Sequence, residues 1–108
     1  MNLNRCIHLI ERQNRFRKIE DDKYESGFWD VAEATAQLLL GGSIFFHKKQ
    51  DEKSFYGGTI SDYRITTKQD SEKYAGRIIF IFRFSPDHRD VKTDIHGWGN
   101  EKKIVLAE

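Results

Sequence analysis

A single cysteine, Cys6, occurs in 108 residues. No intrachain disulfide can therefore form, and no thiolate zinc cluster can be built. That scarcity suits a reducing compartment, so a cytoplasmic location is the expectation. Between Arg5 and Ile7 in an early strand, Cys6 reads as a small buried side chain rather than a nucleophile. No apolar run approaches the length of a membrane span. The opening Met1–Arg5 has no long apolar segment behind it, so no signal peptide is expected. An excess of one charge is also missing: 18 Lys and Arg oppose 17 Asp and Glu, a net +1. The usual mark of a general phosphate-backbone binder is thus absent. Any nucleic-acid contact must come from local segregation, such as Arg12, Arg15, Arg17 and Lys18 ahead of Glu20, Asp21 and Asp22.

Catalytic signatures are equally scarce. The chain has no P-loop, no dinucleotide fingerprint and no nucleophile elbow. The four histidines, His8, His47, His88 and His96, follow no familiar ligand spacing and no H-E-x-x-H helix exists, so neither a metal nor a cofactor is expected. There are no internal repeats and no low-complexity tract.

What the chain does have is aromatic bulk, 13% of residues with eight Phe, enough for one core in one domain over residues 1–108. Arg5 to Ile10 reads as a strand. Residues 11–22, polar apart from Phe16 and Ile19, read as a loop or a weak helix, and Lys23 to Gly27 as exposed connection. Asp30 with Glu33 suggests a capping box. Val31, Ala34, Thr35, Leu38 and Leu39 follow at helical spacing, and Ala32, Ala36 and Leu40 widen the apolar surface, so a well-buried helix over 31–40 is expected, ended by Gly41. Strands follow at 44–48, 55–65 and 77–84, the last apolar on both faces and therefore central. Alternation over 59–65 places Thr59, Ser61, Tyr63 and Ile65 on one face and Ile60, Asp62 and Arg64 on the other. Gly57 and Gly58 mark a bulge or a close backbone approach. Ser85 to His88 stops the apolar strand, a long loop spans 87–100, and 104–106 forms a last short strand. The expected fold is α+β: a small, mostly antiparallel, barrel-like sheet with one buried helix, because closure removes exposed edges.

Aromatics beside glycines are the candidate binding residues, since a bare backbone lets a flat ligand approach while a ring stacks on it. They are Phe28 and Trp29 before the helix, Phe55 and Tyr56 before Gly57, and His96 and Trp98 around Gly97. Trp98 is the ring expected to be most exposed, while Trp29 and Phe55, each taken singly, read more readily as core. His47 and Lys48 at a strand end complete the set, with Lys49, Lys53 and Arg64 as possible phosphate contacts. His47 beside Lys48, or His96, could also serve a small metal-independent nuclease.

The Gly27-Phe28-Trp29 run, the helix 31–40, the turn Gly41-Gly42-Ser43 into Ile44-Phe45-Phe46-His47, and the strand after Gly57-Gly58 together resemble the PUA-like superfamily, which includes EVE and ASCH domains. The resemblance spans about residues 5 to 84, departing at Gly42-Ser43, where glycine–aspartate is usual. It implies a pseudo-barrel that binds RNA or reads a modified base through an aromatic pocket, with Trp29 and His47 as candidate pocket residues. A non-catalytic module for nucleic acid or a flipped nucleobase is the leading expectation. The alternatives are a protein-interaction or inhibitor module of a mobile or defence locus, which needs no basic excess, and the small nuclease.

Overall fold

Alternating and doubly apolar runs pair into one seven-stranded sheet in the computed structural model, which describes residues 5–106. The strands are β1 (Arg5–Ile10), β2 (Phe16–Glu20), β3 (Lys23–Trp29), β4 (Ser43–His47), β5 (Tyr56–Ile65), β6 (Ile78–Phe84) and β7 (Lys102–Leu106). A short helix, α1 (Glu33–Leu38), separates β3 from β4, and a 3₁₀ turn covers Pro86–His88. The order is β2-β3-β6-β5-β4-β1-β7. All neighbours are antiparallel except β1 and β4, which run parallel. Parallel neighbours require a long crossover, here the whole segment between them.

The sheet is open. Strands β2 and β7 end it without pairing to each other, so hydrogen bonds do not close the expected barrel. Curvature nonetheless brings Phe16 of β2 onto Phe46 of β4 and Tyr56 of β5, with ring centroids 4.7 and 4.9 Å apart. Ile7, Leu9, Ile44, Phe46, Ile60, Ile78, Phe80 and Phe82 form the core under that curve, joined by Trp29, Val31, Ala36 and Leu39.

Four further expectations need correction. Residues 16–29 form a β-hairpin rather than a loop, a weak helix or an exposed connection. Its charged residues misled the reading because β2 is an edge strand anchored by Phe16 alone, with the next four residues exposed. The helix is shorter than expected and is not well buried: Leu38 and Leu40 are exposed, while Ala36 and Leu39 reach the core. No capping box forms, since Ala32 is the N-cap without a side-chain bond and the Glu33 carboxylate instead accepts the Tyr63 hydroxyl at 2.8 Å. Gly41 does end the helical segment, at φ +82°, a conformation glycine enters without a Cβ penalty. Finally, a register shift between Ile60 and Asp62 breaks the expected alternation of β5. Ile60 and Tyr63 consequently both pack with the core.

The glycine pair in β5 marks a close approach. A Cβ on Gly58 would sit 1.9 Å from the Arg83 carbonyl oxygen of β6. Gly58→Ala is therefore expected to cost about 2–3 kcal/mol by forcing two strands apart. A urea midpoint equal to that of the unsubstituted protein would show that the strands spread freely.

Candidate functional site

The broken alternation of β5 decides what faces outward from β2, β3, β6 and β5. Tyr24, Ser26, Phe80 and Phe82 point toward the core side, which leaves Glu25, Gly27, Ile79 and Arg64 on the reverse face. Arg64 bonds across β6 to Glu25 through Nε at 3.0 Å, and through Nη1 to Asp70 at 3.1 Å. Arg17 of β2 reaches the other oxygen of Glu25 at 3.3 Å. Hydrogen bonding to Glu25, then to Asp70, raises the Arg64 pKa, while the Thr67 backbone N–H and then Arg64 lower that of Asp70. Asp70 is therefore an ionised acceptor at neutral pH.

Thr66 ties the loop after β5. Its hydroxyl donates to the Tyr74 carbonyl at 2.5 Å and accepts from the Arg77 N–H at 2.8 Å. Tyr74 is thereby held 6.1 Å from the Phe28 ring, at an interplanar angle of 32°. Lys73 and Arg77 lie over the Tyr74 ring at 5.2 and 5.4 Å. The result is a cleft of about 440 Å³ with Phe28 and Tyr74 as aromatic walls, Ile79 and Gly27 as floor, and Arg15 and Arg17 at the rim. Gly27 keeps the floor low, since a Cβ there would meet Ile79 Cγ1 at 2.6 Å. Phe28 also lines a second cleft of about 430 Å³, shared with Trp29, Arg77 and Lys102.

The eight expected binding residues fall in separate places. Phe28 is partly exposed at the junction of both clefts. Trp29 is core, with Nε1 donating to Ser26 Oγ at 3.0 Å, and shows only an edge to the second cleft. Lys48, Phe55 and Tyr56 line neither cleft. They belong to an aromatic cluster in which Lys48 lies 4.2 Å from the Phe55 ring and Tyr56 stacks on Phe84 at 4.6 Å. Burial, then hydrogen bonding to Tyr24, pushes the Tyr56 pKa upward. His96 is exposed in the long loop. Trp98 corrects the expectation of exposure: it is half-buried, its Nε1 is sealed from solvent, and its ring packs against His47 at 5.6 Å.

His47 lies in a polar layer on the other side of β1 and β4 from the core. Its Nδ1 is 2.8 Å from the Glu52 carbonyl, and its Nε2 is 2.8 Å from His8 Nδ1. A carbonyl only accepts, so His47 Nδ1 carries the hydrogen and donates; Nε2 then accepts from His8 Nδ1. His8 Nε2 is left to accept from the Cys6 thiol at 3.6 Å. Burial, then the neighbouring His47 and Lys103 charges, lowers the His8 pKa to about 3. Burial also lowers His47 and raises Cys6. Cys6 is thus a protonated thiol and His8 a weak base, an arrangement unsuited to nucleophilic catalysis. Among the described residues no group of three or more His, Cys, Asp or Glu is placed to hold a metal ion, and no helix is long and apolar enough to cross a membrane.

Phe28 and Arg64, and Arg15 and Arg17 as a basic stretch, are visible in the sequence, whereas Glu25, Asp70 and Tyr74 and the meeting of all of these in one cleft are not. Period-two spacing of Glu25 and Gly27 was the available signal, hidden because 23–27 read as connection. No family model, no curated protein and no solved structure matches this chain.

Proposed function

We propose that this domain is a small non-catalytic module that takes a nucleobase, from a single strand or flipped from a duplex, into the Phe28–Tyr74 cleft. The observation that carries the reading is the cleft itself: two aromatic walls over an apolar floor, rimmed by Arg15 and Arg17. Its volume lies within the roughly 300–1,000 Å³ of ordinary ligand sites. A base stacks on the rings while the rim guanidiniums meet the flanking phosphates. A PUA-like pseudo-barrel is the fold reading that accompanies it, supported by the curled sheet and the side-chain contact of Phe16 with β4 and β5. The nuclease alternative gains no support from His47, which is fully buried with both ring nitrogens engaged.

Trp29 adjoins Phe28 in the second cleft, so its fluorescence should report occupancy. Saturable quenching by single-stranded oligonucleotides, weakening as salt rises, is the expected result. Phe28→Ala should weaken binding about tenfold or more, because base–aromatic stacking contributes ~1–3 kcal/mol. Trp98→Ala should leave affinity unchanged. Absence of binding to any oligonucleotide sinks the reading and turns attention to a protein partner for the exposed Leu38 and Leu40.

A further inference from the structure

The walls of the cleft explain stacking, but its polar groups carry a second message. Glu25 and Asp70 are both partly buried, with side-chain exposures of 12% and 21%, and Arg64 braces the two carboxylates from between. The Arg64 Nε is spent on Glu25 and Nη1 on Asp70. Asp70 Oδ2 is also occupied, by the Thr67 N–H at 2.8 Å and the Thr67 hydroxyl at 3.2 Å. Glu25 Oε1 differs: its partner at 3.3 Å is Arg17, whose side chain is 77% exposed, and an ion pair to so exposed a side chain contributes little and yields readily to a ligand donor. The cleft therefore presents Glu25 as a fixed acceptor with a lone pair to spare. Tyr74 and Phe28 stand over the same space.

We infer that the cleft selects nucleobases bearing an exocyclic amino group, with the Glu25 carboxylate as the acceptor that reads it. The inference rests on the nucleobase reading above. Cytosine offers an amino donor on its Watson–Crick edge, as adenine does, and a carboxylate accepts it. Uracil places a carbonyl oxygen at the position of the cytosine amino group, so the same carboxylate meets an acceptor and repels it. A site built around one hydrogen bond rejects the analogue that lacks it, because its own polar group is then left desolvated and unpaired. Arg64 steadies the device, since its Nε gives Glu25 Oε2 one charge-assisted bond while Asp70 braces the same guanidinium through Nη1. The rim arginines do not discriminate, as every nucleotide carries the phosphate they meet.

The test compares oligo-deoxycytidine with oligo-deoxyuridine of equal length on the unsubstituted protein, followed by Trp29 fluorescence and by calorimetry. A preference for cytosine of about tenfold or more is expected. Glu25→Gln should level that preference, because its amide can turn its NH2 to a carbonyl, while Arg64 keeps Asp70; a thermal melt of the variant confirms that it folds. Equal affinity for the two oligonucleotides in the unsubstituted protein overturns the selectivity and leaves the nucleobase site standing. Binding of neither removes the nucleobase reading and this inference with it. A cytosine preference that survives Glu25→Gln unchanged also overturns the assignment to Glu25.

Discussion

Acidification from neutrality to about pH 4 is expected to remove roughly 3 kcal/mol of stability through His8 alone. In the folded chain its pKa is lowered to about 3 from the ordinary 6.5, first by burial and then by the His47 and Lys103 charges. Below about pH 6.5 the unfolded chain takes up a proton at this residue that the folded chain refuses, so stability falls with pH until the folded group also titrates. His47 and His88 are lowered by burial too and act in the same direction. The lowered carboxyls of Asp70 and Asp94 add a further loss, but only below the ordinary carboxylate range. The window between about pH 6.5 and 4 thus belongs to the histidines. Urea denaturation across that window should show a steadily falling midpoint. An NMR titration in which His8 gains its proton near its ordinary pKa would refute the account. Protonation of His8 leaves Nδ1–H donating to His47 but removes the Nε2 lone pair that accepts from the Cys6 thiol, so the segment carrying Trp98, which packs on both histidines, should loosen first.

Phe82→Ala should cost about 4 kcal/mol, a large share of the ~5–15 kcal/mol that holds a domain of this kind folded. Phe82 is fully buried. Its ring lies 5.3 Å from Phe46, 5.9 Å from Tyr24, 6.0 Å from Phe16 and 6.1 Å from Tyr56. Four strands besides its own therefore meet on this one side chain. The loss combines transfer of the ring with a cavity that stiff aromatic neighbours cannot fill. Phe82→Leu, which keeps much of the volume, should cost about 1 kcal/mol. The comparison is read from denaturant midpoints; equal midpoints for the alanine and leucine variants would mean that the cluster relaxes around the gap. Because Phe16 holds edge strand β2 to this cluster, the alanine variant should also lose amide protection in β2 before other strands.

Legibility followed local pattern. Strands β1, β4 and β6 were readable because their apolar residues are consecutive or alternate cleanly, and Gly41 marked its turn by backbone chemistry alone. Strand β3 was not, since Lys-Tyr-Glu-Ser-Gly-Phe-Trp contains no β-branched residue and owes its form to pairing with β2 and β6. The Asp30 and Glu33 spacing looked like a cap, yet Tyr63, distant in sequence, draws the Glu33 carboxylate away. The site was half legible for the same reason. An exposed Phe beside a glycine shows in the chain, whereas the Glu25–Arg64–Asp70 brace depends on a register shift in β5 that moves Arg64 to the reverse face. Trp98 misled in the opposite direction: a glycine-flanked ring in a polar loop became the roof over two histidines.

Strand β1 lies between β4 and β7, partners that both come later in the chain. A ribosome therefore delivers β1 well before either of its neighbours. One edge of the strand waits for β4 and the other until β7 has emerged, the last of the described strands. Ile7 and Leu9, sealed in the finished sheet, spend that interval on a strand with both edges open, the kind of surface that recruits other nascent chains. Crowded translation should consequently punish this protein more than dilute refolding does, and a chaperone that shields the first strand should raise its yield.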